Sequence, residues 1–215
     1  MIRNLHKYAA EWLLLVQKGK GRTYKPGEII YMQGKLDIGL VCIMRGKVKN
    51  SVYFPNGTEK VICIFEAPAI TGETSVIDNR ETLVTTQALT DVEVSAIPAS
   101  QVHELMEQNS RIMMMLLEVY AEKIRCLELQ AESVVLSTQQ KTARMLINFH
   151  SYGVFSHGAE NKALHVTHDQ LAGFLGTTRP KITSTLSAFE AGGLIKRNRG
   201  SIEILDEAAL KSLYE

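Results

Sequence analysis

Residues 167–205 read THDQLAGFLGTTRPKITSTLSAFEAGGLIKRNRGSIEIL. Thr167, with Gln170 three residues on, is a capping box, in which side chain and backbone satisfy each other's groups at a helix start. Leu171, Ala172, Phe174 and Leu175 put apolar side chains on one face, and Gly176 ends the helix. Thr177 and Thr178 cap a second helix, and Pro180 falls in its first turn, where a missing N–H is harmless. Ile182, Leu186 and Phe189 turn inward. The spacing from small Ala172 to Gly176 and on to Ile182 predicts a helix-turn-helix. Gly192-Gly193-Leu194-Ile195 then leads to Lys196-Arg197-Asn198-Arg199-Gly200, followed by Ser201-Ile202-Glu203-Ile204. This is a basic hairpin tip between β-branched residues, hence a wing.

The charge distribution supports an anionic partner for this segment. The whole chain has a formal net charge of only +1. Between Lys162 and Gly200, however, six basic residues (Lys162, Arg179, Lys181, Lys196, Arg197, Arg199) stand against Asp169 and Glu190, a local excess of +4.

Immediately upstream, Lys141 to Phe149 starts a new apolar pattern, and residues 152–161 read as a loop before a short strand at Leu164-His165-Val166. Ser137-Thr138-Gln139-Gln140 supplies helix-capping residues at a junction, consistent with a hinge. Before the hinge, residues 99–137 are predicted to form one long helix. Met113, Leu117, Tyr120, Ile124, Leu127, Ala131 and Val134 recur at alternating steps of three and four, a seam of the type that two helices bury between them. Ile112, Met115, Leu116 and Val119 form a second apolar set. One face needs a domain to pack on. The seam predicts the same helix of a second copy of this chain.

The N-terminal half is β-rich. Ile29 to Tyr31, Ile38 to Met44, Lys47 to Phe54 and Val61 to Phe65 are strand-like, and residues 83–97 supply two more strands. Gly and Pro separate them, with Pro55-Asn56-Gly57 a strong hairpin signal. One helical turn is expected near Glu73 to Asp78. Many short strands at near-regular spacing indicate a small barrel or jelly roll. The fold class is therefore α+β: an N-terminal barrel or jelly roll over residues 1–98, a long dimerisation helix and hinge over 99–138, and a C-terminal winged helix-turn-helix over 139–215.

The 215 residues are 45% hydrophobic, enough for two modest domains with real cores. No apolar run approaches the roughly 18 residues of a membrane span. The opening residues 1–20 contain Glu11 within their apolar patch and read as an amphipathic helix, not a signal peptide. Three cysteines, Cys42, Cys63 and Cys126, lie far apart, as expected for buried thiols in a reducing cytoplasm.

The strings PGEIIYMQG, GLVCIMRGKVKNSVYFPNGTEK, ITGETSVID and TTQALTDVEVSAIP resemble the cyclic-nucleotide-binding β-roll, with Gly27, Gly34, Gly46, Gly57 and Gly72 where that fold turns. The block at 167–205 resembles the winged helix of CRP/FNR-type transcription regulators. Taken in order, the resemblance covers nearly the whole chain. It implies a cytoplasmic, homodimeric bacterial regulator that binds double-stranded DNA, contacts RNA polymerase and answers a small-molecule effector. In relatives that bind cyclic AMP, a Gly-Glu pair and a later Arg-Ser pair hold the phosphate. Gly72 and Glu73 match, followed by Thr74. The Arg-Ser places hold Thr82 and Leu83, with Arg80 two residues early. The family's Thr-Ser on the long helix corresponds here to Leu127-Glu128. These departures argue against cyclic AMP as the effector.

For DNA, the resemblance implies that the second helix enters the major groove. Arg179 matches the family's leading base-reading arginine, suited to guanine O6 and N7. The family often has Glu next and a further Arg four residues on. This chain has Pro180 and Ser184, so the familiar half-sites are not expected. Lys181 and Thr183 are candidate base or backbone contacts, Ser184 lies on the exposed face, and Thr178, Lys196, Arg197 and Arg199 are candidate phosphate contacts.

Other chemistries have less support. None of the six histidines falls between Lys7 and Val102, so the roll has no imidazole ligands for a cupin-type metal site. No catalytic residues are assigned. An iron–sulfur sensor needs a cysteine cluster that is missing. Cys42, Cys63, His103 and Met113 to Met115 remain conceivable haem ligands, although Met at helical spacing is usually core. A Cys42–Cys63 disulfide requires those residues to lie on neighbouring strands. A small organic ligand in the barrel, a constitutive DNA binder with a degenerate sensor, and a ligand-binding protein that uses its winged helix for protein contacts remain open.

Overall fold

A computed structural model of the chain describes residues 5–57, 59–132, 135–148, 163–198 and 200–215. Two compact units divide it: residues 1–58 with 64–124, and residues 59–63 with 125–215.

In the first unit a 3-10 turn (Leu5–Tyr8) leads into α1 (Ala9–Lys18), then β1 (Lys20–Tyr24), β2 (Ile29–Tyr31), β3 (Leu40–Arg45) and β4 (Lys47–Tyr53). β5 (Glu59–Glu66, of which residues 59–63 fall in the second unit), β6 (Ala69–Thr71), α2 (Glu73–Asp78), β7 (Thr85–Ala88) and β8 (Val92–Ile97) follow. Two four-stranded sheets result, in the orders β1-β8-β3-β6 and β2-β7-β4-β5. Alternation sets which side chains face inward: in β8, Val92 and Val94 are buried while Glu93 between them is only partly so. Gly72 has φ of +84°, and a Cβ there would collide with the Gly39 carbonyl, so the turn into α2 requires glycine.

Two strands escape sequence reading. β1 is polar and largely exposed, and pairs through its backbone with β8 from Lys20↔Ala96 to Tyr24↔Val92. β6 is only three residues long, too short to show a period.

The predicted single helix over 99–137 is two helices, α3 (Ala99–Gln108) and α4 (Ser110–Glu132). Asn109 makes the break by serving both ends. Its backbone N–H donates to the Leu105 carbonyl, and its side-chain Oδ1 accepts from the Arg111 N–H at 3.0 Å. The break lets Ile112, Met115, Leu116 and Val119 of α4 pack with Val102 and Leu105 of α3 in one core that includes Leu15, Leu40, Ile70 and Ile97. Their neighbours on the opposite face stay exposed: Met113 at 40%, Leu117 at 53%, Ile124 at 51% and Leu127 at 47%. Tyr120 is half-buried and Ala131 exposed, and Val134 lies outside the described residues.

All three cysteines are free, buried thiols, as expected, and the condition for a Cys42–Cys63 disulfide is not met. Cys42 on β3 faces Ser95 and Ile70 across its own sheet, while β5 belongs to the other. Burial pushes the Cys42 thiol up to about 12. The neighbour of Cys63 is Cys126, with the sulfurs 3.8 Å apart.

In the second unit, α5 (Thr138–Ile147) starts at a capping box of Ser137 and Gln140. β9 (Ala163–Leu164), α6 (His168–Leu175), α7 (Arg179–Ala191), β10 (Ile195–Asn198), β11 (Ser201–Ile204) and α8 (Glu207–Lys211) complete it. The sheet order is β10-β11-β9, with Arg197 opposite Ile202. Met145, Leu146, Leu171, Phe174, Ile182, Leu186, Phe189 and Ile202 are buried in this unit. The expected loop at 152–161 lies outside the described residues.

Candidate nucleic-acid interface and effector site

The Thr167–Gln170 capping box forms, with the Thr167 hydroxyl accepting from Gln170 N–H and Gln170 Oε1 accepting from Thr167 N–H. Gly176, at φ +63°, ends α6. α7 begins with Thr178 as its N-cap, although the Thr178 hydroxyl makes no capping bond, and Pro180 lies in the first turn. Ile182, Leu186 and Phe189 hold α7 to the core. Thr178, Arg179, Pro180, Lys181 and Ser184 are exposed on the outer face. Lys196 on β10 is exposed as well; Arg199 lies outside the described residues.

Two of the expected contacts have internal partners. Arg197 is gripped by Glu190, with Nε at 2.8 Å and Nη2 at 2.6 Å from Oε2, and its Nη1 donates to Ser187 at 3.1 Å. Its first role is thus to pin the wing to α7, and it is only half-exposed. The Thr183 hydroxyl is 2.9 Å from His168 Nδ1. Arg179 is held less tightly: its Nη1 is 3.5 Å from Asp169 Oδ2, and both side chains are about two-thirds exposed, so the pair is weak.

Thr167, His168, Asp169, Arg179, Arg197 and Asn198 help line an open cleft of about 320 Å³ where α6, α7 and the wing meet. His168 was not singled out from sequence, where it is merely the first residue after a cap. Its pKa is lowered by partial burial, then by the charges of Arg197 and Arg179. Two arginines and an imidazole around one cleft suit a phosphate.

In the first unit, Gly72 and Glu73 are buried at the start of α2, whereas Thr74 is exposed. Glu73 Oε1 accepts from Lys123 Nζ at 2.5 Å, and Lys123 also donates to the Ile70 carbonyl at 3.0 Å. Beside them Tyr31, Asn50, Thr71 and Thr86 form a buried hydrogen-bonded chain: the Tyr31 and Thr71 hydroxyls bond, Asn50 Nδ2 donates to Thr71 at 3.0 Å, and Thr86 donates to Asn50 Oδ1 at 2.6 Å. Burial pushes the Tyr31 phenol up to about 12, keeping it neutral. Arg80 is exposed, its N–H bonded to Asp78. Thr82 is buried with its hydroxyl turned to the Val84 carbonyl, and Leu83 is 79% exposed. In the second unit, Leu127 and Glu128 are both exposed on α4.

The residues conceivable as haem ligands each have another place in the structure. Cys42 is in the sheet core, Cys63 faces Cys126, His103 Nε2 is 2.6 Å from the Val76 carbonyl, and Met113 and Met114 are exposed while Met115 is buried. These residues do not fit a haem. Among the described residues no group of three or more His, Cys, Asp or Glu could hold a metal ion, and no helix is long and apolar enough to cross a membrane.

A β-roll followed by a winged helix-turn-helix defines the class of sensor-linked DNA-binding regulators. Residues 21–109 match the cyclic nucleotide-binding domain family, and residues 140–213 match the Crp-like helix-turn-helix domain. The chain belongs to the CRP/FNR family of transcription regulators. It is 23% identical to the cyclic AMP receptor protein of Thermus thermophilus over 193 residues, which is 89% of this chain and 87% of that protein. It is 25% identical to the transcriptional activator protein anr of Pseudomonas aeruginosa over 198 residues, 90% of this chain and 80% of that one. The fold matches a crp/fnr-family transcriptional regulator from Eubacterium rectale with a TM-score of 0.68 at 23% identity, covering 98% of this chain and 97% of that one.

Proposed function

We propose that the chain acts in the cytoplasm as a homodimer that reads a pseudo-palindromic operator through α7, under control of an effector other than cyclic AMP. In this reading residues 1–98 sense, 99–138 dimerise and hinge, and 139–215 read DNA. The observation that carries it is the exposed first half of α7, with Arg179, Lys181 and Ser184 outward while Ile182 and Leu186 anchor the opposite face. Arg179 reads a base edge, Thr183 is positioned by His168, and Thr178, Lys196 and Arg197 meet phosphates. Arg199 joins the phosphate contacts on the strength of the family resemblance alone.

Self-association is supported by the exposed stripe Met113, Leu117, Ile124 and Leu127, continued by Tyr120, Ala131 and Val134 in the heptad pattern. Two copies related by a two-fold axis meet half-sites about 34 Å apart. Against cyclic AMP stand the Glu73 carboxylate, already bound by Lys123, the outward Arg80 and Leu83, and the lack of hydroxyls at Leu127 and Glu128. RNA polymerase is the further partner this role requires. The effector acts by binding the DNA-competent dimer better than the incompetent one.

A constitutive binder with a degenerate sensor is the rival, favoured by the Tyr31–Thr71–Asn50–Thr86 chain, whose polar groups already satisfy one another. Selection from a random duplex pool at about 0.15 M salt, where phosphate contacts alone bind weakly, tests the proposal. An enriched palindrome is the expected result. No enrichment under any redox state or with any candidate metabolite overturns it. Equal affinity across all those conditions favours the rival.

A further inference from the structure

Cys63 and Cys126 are buried nucleophiles that DNA reading does not use. They come from different elements, β5 and α4, and their sulfurs are 3.8 Å apart. One turn beyond Cys126, the Gln130 amide donates to the Ile62 carbonyl at 2.7 Å and approaches Cys126 Sγ at 3.5 Å. These contacts hold the helix against the strand beside the two sulfurs. The sulfurs therefore face each other away from solvent, at 4% and 2% exposure.

We propose that Cys63 and Cys126 are a redox-modification site, closing to a disulfide that ties β5 to α4 when the protein meets hydrogen peroxide. The two thiols are not equivalent. The hydrogen bond from Cys63 holds the Cys126 thiol below its ordinary range in spite of burial, helped by the Gln130 amide and the Lys60 charge. Cys126 is thus the attacking sulfur, since the thiolate is the nucleophile. It displaces hydroxide from the peroxide: an S–O bond forms, the O–O bond breaks, and the hydroxide leaves as water with the thiol's proton. The Cys63 sulfur then attacks the Cys126 sulfenic acid. The S–S bond forms, the S–O bond breaks, and the second water carries off the Cys63 proton. Two electrons pass from the two thiols to one peroxide. Bonding requires the sulfurs to close to about 2.05 Å, a distance within reach of side-chain rotation and a small shift of the helix on the strand.

The cross-link would clamp α4, the helix that carries the exposed apolar stripe and leads into the DNA-reading half. This consequence rests on the function proposed above; the modification site itself does not.

The test treats the full-length protein with hydrogen peroxide under native conditions, quenches and denatures it, and alkylates remaining thiols before peptide mapping. The expected result is one intrachain Cys63–Cys126 link per chain, reversed by dithiothreitol, with Cys42 alkylated throughout. In Cys63→Ser the link is absent and Cys126 is trapped by a sulfenic-acid reagent. Alkylation of both Cys63 and Cys126 after peroxide overturns the proposal, as does a link to Cys42 or between chains. The wild-type map decides even if the variants fail to fold. Oxidised and reduced protein are then titrated against the selected duplex, with an expected difference in Kd of about tenfold or more. Equal Kd values remove the regulatory consequence and leave the modification site. Failure of the reduced protein to bind any duplex counts against the proposed function, independently of the peptide map.

Discussion

His168 Nδ1 lies 2.9 Å from the Thr183 hydroxyl, joining the first turn of α6 to the face of α7 that carries Arg179 and Ser184. The bond spans the two halves of the helix-turn-helix and sets the orientation of α7 from a residue that itself faces the cleft. Its chemistry makes that orientation sensitive to protons.

Partial burial, with Arg197 and Arg179 nearby, lowers the His168 pKa below 6.5 in the folded chain. The unfolded chain therefore binds this proton more readily between the two pKa values. Folding stability should be undiminished above about pH 6.5 and fall as the pH drops from there toward the folded value, levelling off below it. The His168→Gln variant should lose this component. NMR titration of the imidazole, paired with urea unfolding at several pH values, checks both statements. An imidazole pKa at or above the unfolded value removes the argument.

Arg179 bonds only weakly to Asp169 and is free to reach a base. Arg179→Ala should cost about 1–3 kcal/mol in binding to the selected operator, the scale of a bidentate base contact. Affinity for a scrambled duplex should change much less. Fluorescence anisotropy with both duplexes measures the difference, and equal losses on the two would assign Arg179 to phosphate.

Glu73 and Lys123 form a nearly enclosed ion pair, with side chains 5% and 15% exposed. Lys123→Met leaves a buried carboxylate unpaired and should destabilise the chain by about 3–5 kcal/mol, whereas pairing it with Glu73→Leu should restore much of the loss. A double-mutant cycle in urea reads the coupling. Additive effects would show that the pair is structurally inert.

Leu116 and Leu117 are adjacent on α4 and do opposite things. Leu116 is 2% exposed in the core, and Leu116→Ala should cost about 2–5 kcal/mol in folding. Leu117 is 53% exposed, and Leu117→Glu should shift the protein from dimer toward monomer in sedimentation velocity while leaving each chain folded. A dimer that survives Leu117→Glu together with Ile124→Glu would place the self-contact elsewhere.

The winged helix-turn-helix was legible in the chain because its signals are local. A capping box at Thr167, a left-handed glycine at 176 and a proline in the first turn of α7 each act within a few residues, and all three occur as read. Alternating apolar residues likewise announced most strands of the roll. The helix break at Asn109 was hidden because the apolar pattern runs on past it, while a single residue satisfies the backbone on both sides. β1 was hidden because its pairing with β8 is carried by backbone groups, which leave no mark on side-chain pattern.

What the sequence determined by itself was therefore the order of elements, the two apolar faces of α4 and the outward basic residues of α7, since periodicity and capping are properties of neighbouring residues. Tertiary structure alone decided which side chains became partners. It turned Glu73 to Lys123, Arg197 to Glu190 and His168 to Thr183, and it set Cys63 against Cys126 instead of Cys42. Those pairings depend on how strands are ordered within sheets and how helices cross, so residues on different elements meet at distances that no local pattern encodes.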